Sequence, residues 1–216
     1  IICHMAFENT QAHRLRNRMC VMKDYEKIKV KLNDKGKLDI KNTVGLPLVG
    51  LGGHGAVFRI DEQRCVKIYI SEEIAENEKQ AYLRTLGSPI IPILYEIGNK
   101  YLIIEYINGP NLKDFLLQQG MMSRRTVQEL VNMFLEMNRL CFLRRDESLR
   151  HILVNDDEII KIVDIYYAFT LYDPAPVKLF RQLEEIKMLE TFIKEGSIIS
   201  PTLFAEFKKQ MPEYFK

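Results

Sequence analysis

Gly50-Leu51-Gly52-Gly53-His54-Gly55-Ala56-Val57 constrains the fold of this chain more than any other stretch. Apolar Leu46 to Val49 lead into it. Val57, Phe58 and Ile60 lead out, and Val66-Lys67-Ile68 follows. The pattern predicts a strand, a glycine turn and a second strand, with no helix after the glycines. A dinucleotide-binding G-x-G-x-x-G opens a helix, so this one reads differently. Without a Cβ, glycine lets backbone N–H groups approach phosphate oxygens closely. Lys67, on the next strand, is placed to reach a phosphate. A glycine-rich hairpin is also a common structural feature, so the choice rests on what accompanies it.

The composition narrows the classes. A length of 216 fits one domain of two lobes, or one domain with a short extension. With 47% hydrophobic and 28% charged residues, the chain reads as soluble and globular. A net charge of +2 makes no case for a nucleic-acid or membrane partner. No apolar run approaches the roughly 20 residues that span a bilayer. No charged start followed by an apolar core suggests a signal peptide. Cys3, Cys20, Cys65 and Cys141 are scattered without a C-x-x-C and read as reduced, mostly buried thiols of a cytoplasmic protein. His4, His13, His54 and His151 form no H-x-x-x-H pair, so zinc is not expected. Residues 1–5 read as an expression remnant and start, because Ile1 to His4 precede Met5.

Residues 6–45 read as an N-terminal extension. Ala6 to Lys23, with Arg14, Arg16 and Arg18, is either a solvated helix or a face for an acidic partner. Ile28, Val30 and Leu32 alternate with lysines, and Asn33 to Gly36 turns the chain into a small hairpin. Residues 46–107 read as an antiparallel sheet with one inserted helix. That helix is capped by Ser71 and runs to about Leu86. Two strands, Ile90 to Ile97 and Lys100 to Ile107, follow it. Residues 108–216 read as mainly helical. Asn111 caps Leu112 to Gln119, and Thr126 with Glu129 forms a capping box for a helix to about Leu143. Ile152 to Val163 reads as a hairpin. One helix is striped from Leu179 to Ile193, and a last one starts at Pro201.

A sheet with one helix, a short hinge at Ile104-Glu105-Tyr106-Ile107 and a helical half resembles the protein-kinase-like superfamily. The motifs fall in that order from about Leu46 to Asp164. Arg144 to Val154 matches the spacing of H-R-D-L-x-x-x-N-I-L-V, and Val163-Asp164-Ile165-Tyr166 stands in the place of D-F-G. The resemblance implies an α+β, two-lobed fold, with an antiparallel-sheet N-lobe and an abbreviated helical C-lobe. It implies ATP and Mg²⁺ as cofactors and a Ser/Thr hydroxyl of a protein as acceptor. Gly50, Gly52, Gly53, His54, Gly55 and Val57 would cradle phosphates. Lys67 would fix them, and Glu78, with Glu76 as the weaker alternative, would hold Lys67. Glu105 and Ile107 would meet adenine through their backbones. Asp146 would accept the acceptor's proton, though an Asp among arginines is more often a surface acid. Asp164 would bind the metal.

The departures matter as well. His151 replaces the Asn that holds a second metal ion. Imidazole suits Mg²⁺ poorly and softer metals such as Mn²⁺ better, or else His151 only hydrogen-bonds its loop. Arg144 replaces the family His, and Ile165-Tyr166 replaces Phe-Gly. No A-P-E closes an activation segment, so control by phosphorylation there is not expected. The short plan resembles compact bacterial serine/threonine kinases and RIO-type atypical kinases. A pseudokinase that holds a protein partner, and a small-molecule phosphotransferase, remain open alternatives.

Overall fold

The computed structural model describes residues 25–215. Residues 1–5, the basic stretch with Arg14, Arg16 and Arg18, and Cys3, Cys20, His4 and His13 lie outside the described residues.

The extension folds as the alternation predicts. β1 (Lys29–Leu32) pairs antiparallel with β2 (Leu38–Lys41). Asn33 Oδ1 accepts from the amides of Lys35 and Lys37, and Gly36 takes φ 68°, which closes the turn. Tyr25, Ile28 and Val30 are buried against Ala56, Phe58, Val66, Ile68 and Ile103, so the hairpin covers one face of the main sheet. Leu32, read with the apolar set, is exposed instead.

The main sheet holds β3 (Leu48–Gly52), β4 (Gly55–Arg59), β5 (Arg64–Tyr69), β6 (Leu94–Ile97) and β7 (Tyr101–Glu105). All its pairs are antiparallel, in the order β3-β4-β5-β7-β6. Between β5 and β6 runs α1 (Glu72–Arg84), capped by Ser71 Oγ on the amide of Ile74. β6 starts at Leu94 and not at Ile90. Pro89 and Pro92 carry no N–H for a ladder. The carbonyls of Ile90 and Ile91 accept instead from the Ile162 amide, at 2.7 Å, and from Lys161 Nζ, at 3.3 Å.

In the second half, α2 (Leu112–Gln119) is capped by Asn111 and ends at Gly120, whose φ is 67°. α3 (Arg124–Arg139) corrects the expected capping box. Its cap is Ser123, whose Oγ accepts from the Thr126 amide at 3.0 Å. Thr126 is the third helical residue, with its own hydroxyl 2.9 Å from Ser123 Oγ. β8 (Ile152–Val154) and β9 (Ile160–Ile162) pair antiparallel around a turn held by Asn155.

The apolar stripe after Pro176 forms two helices, α4 (Val177–Glu185) and α5 (Leu189–Ile199), where one was expected. Lys187 adopts φ 58°, and the amides of Lys187 and Met188 bond back to Glu184 and Leu183. This is a left-handed helix stop made without the usual glycine, so no sequence signal marks it. α6 (Pro201–Gln210) follows, with proline in its first turn. Phe180, Phe192, Phe204 and Phe207 pack edge-on at ring separations of 5.2 to 5.7 Å and tie these three helices together. The protein is thus mixed α/β, with antiparallel sheets and six α-helices among the described residues. No described helix is long and apolar enough to cross a membrane. Cys65 is buried and Cys141 is exposed, while Cys3 and Cys20 lie outside the described residues.

Two substitutions test the corrected cap. Ser123→Ala should cost about 1 kcal/mol in urea unfolding. Glu129→Ala should stay within about 0.5 kcal/mol, because its carboxylate caps nothing here.

Candidate active site

A cleft of about 340 Å³ lies between the β3–β4 hairpin, the end of β7 and the β8–β9 hairpin. The hairpin comes first. Gly52 pairs with Gly55 across the two-residue turn Gly53-His54. A Cβ on Gly55 would stand 2.1 Å from the Ile68 carbonyl oxygen, so only glycine lets β4 lie this close to β5. A Cβ on Gly52 would meet nothing within 4 Å. Gly50, Gly52, His54, Gly55 and Val57 line the cleft, and Gly53 does not.

Lys67 projects from β5, and its Nζ lies 2.8 and 2.7 Å from the two carboxylate oxygens of Glu78. Glu78 comes from α1 and is fully buried. Asp164 Oδ1 accepts from the same Nζ at 3.2 Å. Burial works to lower the ammonium's pKa, but Glu78 and Asp164 outweigh it and hold it above the ordinary value. Glu76, the alternative partner, is exposed and bonds to Lys79 and Gln80.

Asp164 follows β9 with φ 66°, a left-handed backbone that only a firm surrounding holds in a non-glycine residue. Burial works to raise its carboxyl, while Lys67, His151 and His54 together bring it below the usual carboxylate range. His54 reaches down from the glycine turn, with Nδ1 3.8 Å from Asp164 Oδ1 and its ring 4.3 Å from that of Tyr166. Tyr166 in turn accepts from Asn77 of α1. The Ile165-Tyr166 pair therefore has a packing role: Ile165 fills the core, and Tyr166 links α1 to the glycine turn.

His151 ends a single 3₁₀ turn, Leu149–His151, and lines the cleft with Asp164. Glu105 and Ile107 line its far edge. The Glu105 side chain accepts from Lys161 Nζ at 2.7 Å and from the Ile93 amide, and its carbonyl accepts from Cys65 Sγ at 3.7 Å. Cys65 also lines the cleft, and burial pushes its thiol up to about 12. It was missed in the sequence, although it sits two residues before Lys67 and so shares its strand face. Gly109 was missed too. A Cβ there would stand 1.8 Å from the Val154 carbonyl oxygen.

Asp146 is not among the cleft-lining residues. Its Oδ1 accepts from the amides of Lys178 and Leu179, in the first turn of α4. Burial raises its carboxyl to about 6 even though these two amides oppose the shift. Arg145 bonds to Asn138 and, at 2.8 Å, to Glu206. Neighbouring side chains of this one loop therefore knit α3, α4 and α6 together. A second hollow, about 670 Å³, lies beside the β1–β2 hairpin and gathers none of the candidate site residues.

The cleft offers an ammonium, an ionised carboxylate and two imidazoles beneath a glycine hairpin, a set suited to a polyphosphate with a divalent cation. Among the described residues no three His, Cys, Asp or Glu side chains converge as a metal centre. A cation here would complete its shell with phosphate and water oxygens, as Mg²⁺ commonly does.

Glu78→Ala leaves a buried ammonium with one partner and should cost about 3 kcal/mol in urea unfolding. A raised Asp146 carboxyl binds its proton more tightly folded than unfolded, so its contribution to stability falls as pH rises from about 4 to about 6. Asp146→Asn should abolish that segment of the pH–stability profile.

No family model matches the chain. A Bacillus subtilis (strain 168) protein named Putative serine/threonine-protein kinase YrzF is 24% identical over 125 residues, 56% of this chain and 58% of that protein. The chain therefore spans a little over half the length of the curated relative it matches. The likeness points to a kinase-like protein and no further.

Proposed function

We propose that this chain is an ATP-dependent phosphotransferase with a protein-kinase-like, two-lobed fold, moving the γ-phosphoryl of ATP to a Ser or Thr hydroxyl of a protein. Residues 46–107 would form the N-lobe and residues 108–216 a reduced C-lobe. The observation that carries the reading is Lys67, held between Glu78 and Asp164 under the glycine hairpin. The kinase-named relative supports it.

The residues fit ATP and a divalent cation. The hairpin amides and Lys67 would hold phosphates, Glu78 would keep Lys67 aimed, and the backbones of Glu105 and Ile107 would hold adenine. Asp164 and His151 are the side chains that would hold Mg²⁺ or Mn²⁺, and the bound ion would neutralise charge on the phosphate oxygens. Asp146 would take the proton of the acceptor hydroxyl, and a carboxyl near 6 suits that task. The free thiols of Cys65 and Cys141 fit a reducing cytoplasm. Arg145 already has carboxylate and amide partners, which fits a site without a phosphorylated activation segment.

One observation favours a second reading, a nucleotide-binding pseudokinase that acts through a protein partner. Asp146 commits one oxygen to α4 and stands outside the cleft lining.

Phosphate transfer from labelled ATP, with Mg²⁺ or Mn²⁺ and a generic protein acceptor, decides between them. Wild type should transfer label, and Asp146→Asn should lose at least about 100-fold. Lys67→Ala should lose the thermal stabilisation that ATP confers. Binding without transfer would favour the second reading, and no binding by wild type would sink both.

A further inference from the structure

We infer that Glu147 is a positioning residue that fixes His151 as a divalent-cation ligand through Nε2, beside Asp164. The inference rests on the phosphotransferase reading, because nucleotide phosphates would supply the remaining ligands.

Glu147 is 1% exposed. An isolated buried carboxylate is costly, and a merely space-filling position would take an apolar residue, as Leu149 does two residues on. Its Oε2 lies 3.6 Å from His151 Nδ1. Both atoms are buried, and neither has a hydrogen-bond partner among the described residues. Two orphaned polar atoms thus face each other just beyond bonding distance, and a shift of a few tenths of an ångström joins them.

The His151 side chain nevertheless keeps 35% of its exposure. With Nδ1 buried, that exposure belongs to the opposite edge of the ring, and His151 lines the cleft with Asp164. A proton held on Nδ1 by Glu147 leaves the Nε2 lone pair free on that side. Histidines that bind metals usually donate their other N–H to a carboxylate in this way, which fixes the ring and raises its basicity. One nitrogen and one carboxylate ligand favour Mn²⁺ or Co²⁺ over Mg²⁺. Glu147 would thereby set which metal the site prefers.

The test uses the full chain, labelled with ¹⁵N-histidine, with Mn²⁺ and a non-hydrolysable ATP analogue. Pulsed EPR of the wild type should show ¹⁵N coupling to Mn²⁺, and His151→Asn should abolish it. Glu147→Gln should weaken Mn²⁺ binding roughly 10–100-fold while leaving nucleotide affinity in chelator unchanged. Glu147→Leu should do the same. It exchanges the buried carboxylate for an apolar side chain, so it serves if the Gln variant does not fold. A purely structural Glu147 would alter melting without altering Mn²⁺ affinity. Bound analogue and Mn²⁺ without nitrogen coupling would overturn the inference and leave the nucleotide reading standing. So would wild-type Mn²⁺ affinity in both Glu147 variants. Failure of the analogue to bind the wild type would overturn the phosphotransferase reading, and this inference with it.

Discussion

The buried contact between Lys67 and Glu78 is the interaction on which the rest of the cleft depends. Two opposite charges are withdrawn from water, and a desolvation cost of several kcal/mol per ion is offset only by near-ideal geometry. The geometry here is bidentate, with both Glu78 oxygens within 2.8 Å of one nitrogen. It demands that α1 dock against β5 at a fixed depth and rotation. Once α1 is docked, Asn77 meets Tyr166, Tyr166 meets His54, and the glycine turn is held over Asp164. A replacement of the pair by apolar residues could match its stability, yet it would remove the ammonium held by both Glu78 and Asp164 at the cleft.

The second organising element is the loop Arg144 to His151. Its consecutive charged residues diverge to different neighbours. Arg145 bridges α3 and α6, Asp146 binds the start of α4, and Glu147 turns inward to His151. Such a loop is expensive to bury piecemeal, because each charge needs its own partner. The three helices after Asp164 provide two of those partners, which gives the short helical half a role beyond covering the core. Glu206 and the α4 amides also make the loop rigid without any added phosphate.

Much of the secondary structure was legible because its signals are local. Ser71 and Asn111 cap their helices, Gly120 ends one, and Asn33 to Gly36 turns the first hairpin, each through bonds within a few residues. Where β6 was misplaced, the deciding partner lay far away. β6 starts late because the Ile90 and Ile91 carbonyls are taken from β9, some seventy residues on. The single stripe after Pro176 splits because Lys187 accepts a left-handed backbone so that two helices can both face the aromatic core.

The sequence by itself determined the types of element, their order and the residue types gathered around a glycine hairpin, because caps, turns and hydrophobic periods act over a few residues. It also placed a lysine on a strand and the two candidate partners, Glu76 and Glu78, on the following helix. Only the tertiary structure decided between Glu76 and Glu78, since the two differ in which side of α1 they occupy and not in local pattern. It alone turned Asp146 toward a helix start and Glu147 toward His151. The Asp146 choice depends on the α4 amides and the Glu147 choice on which side of its loop is buried, and both are set only once the chain has folded.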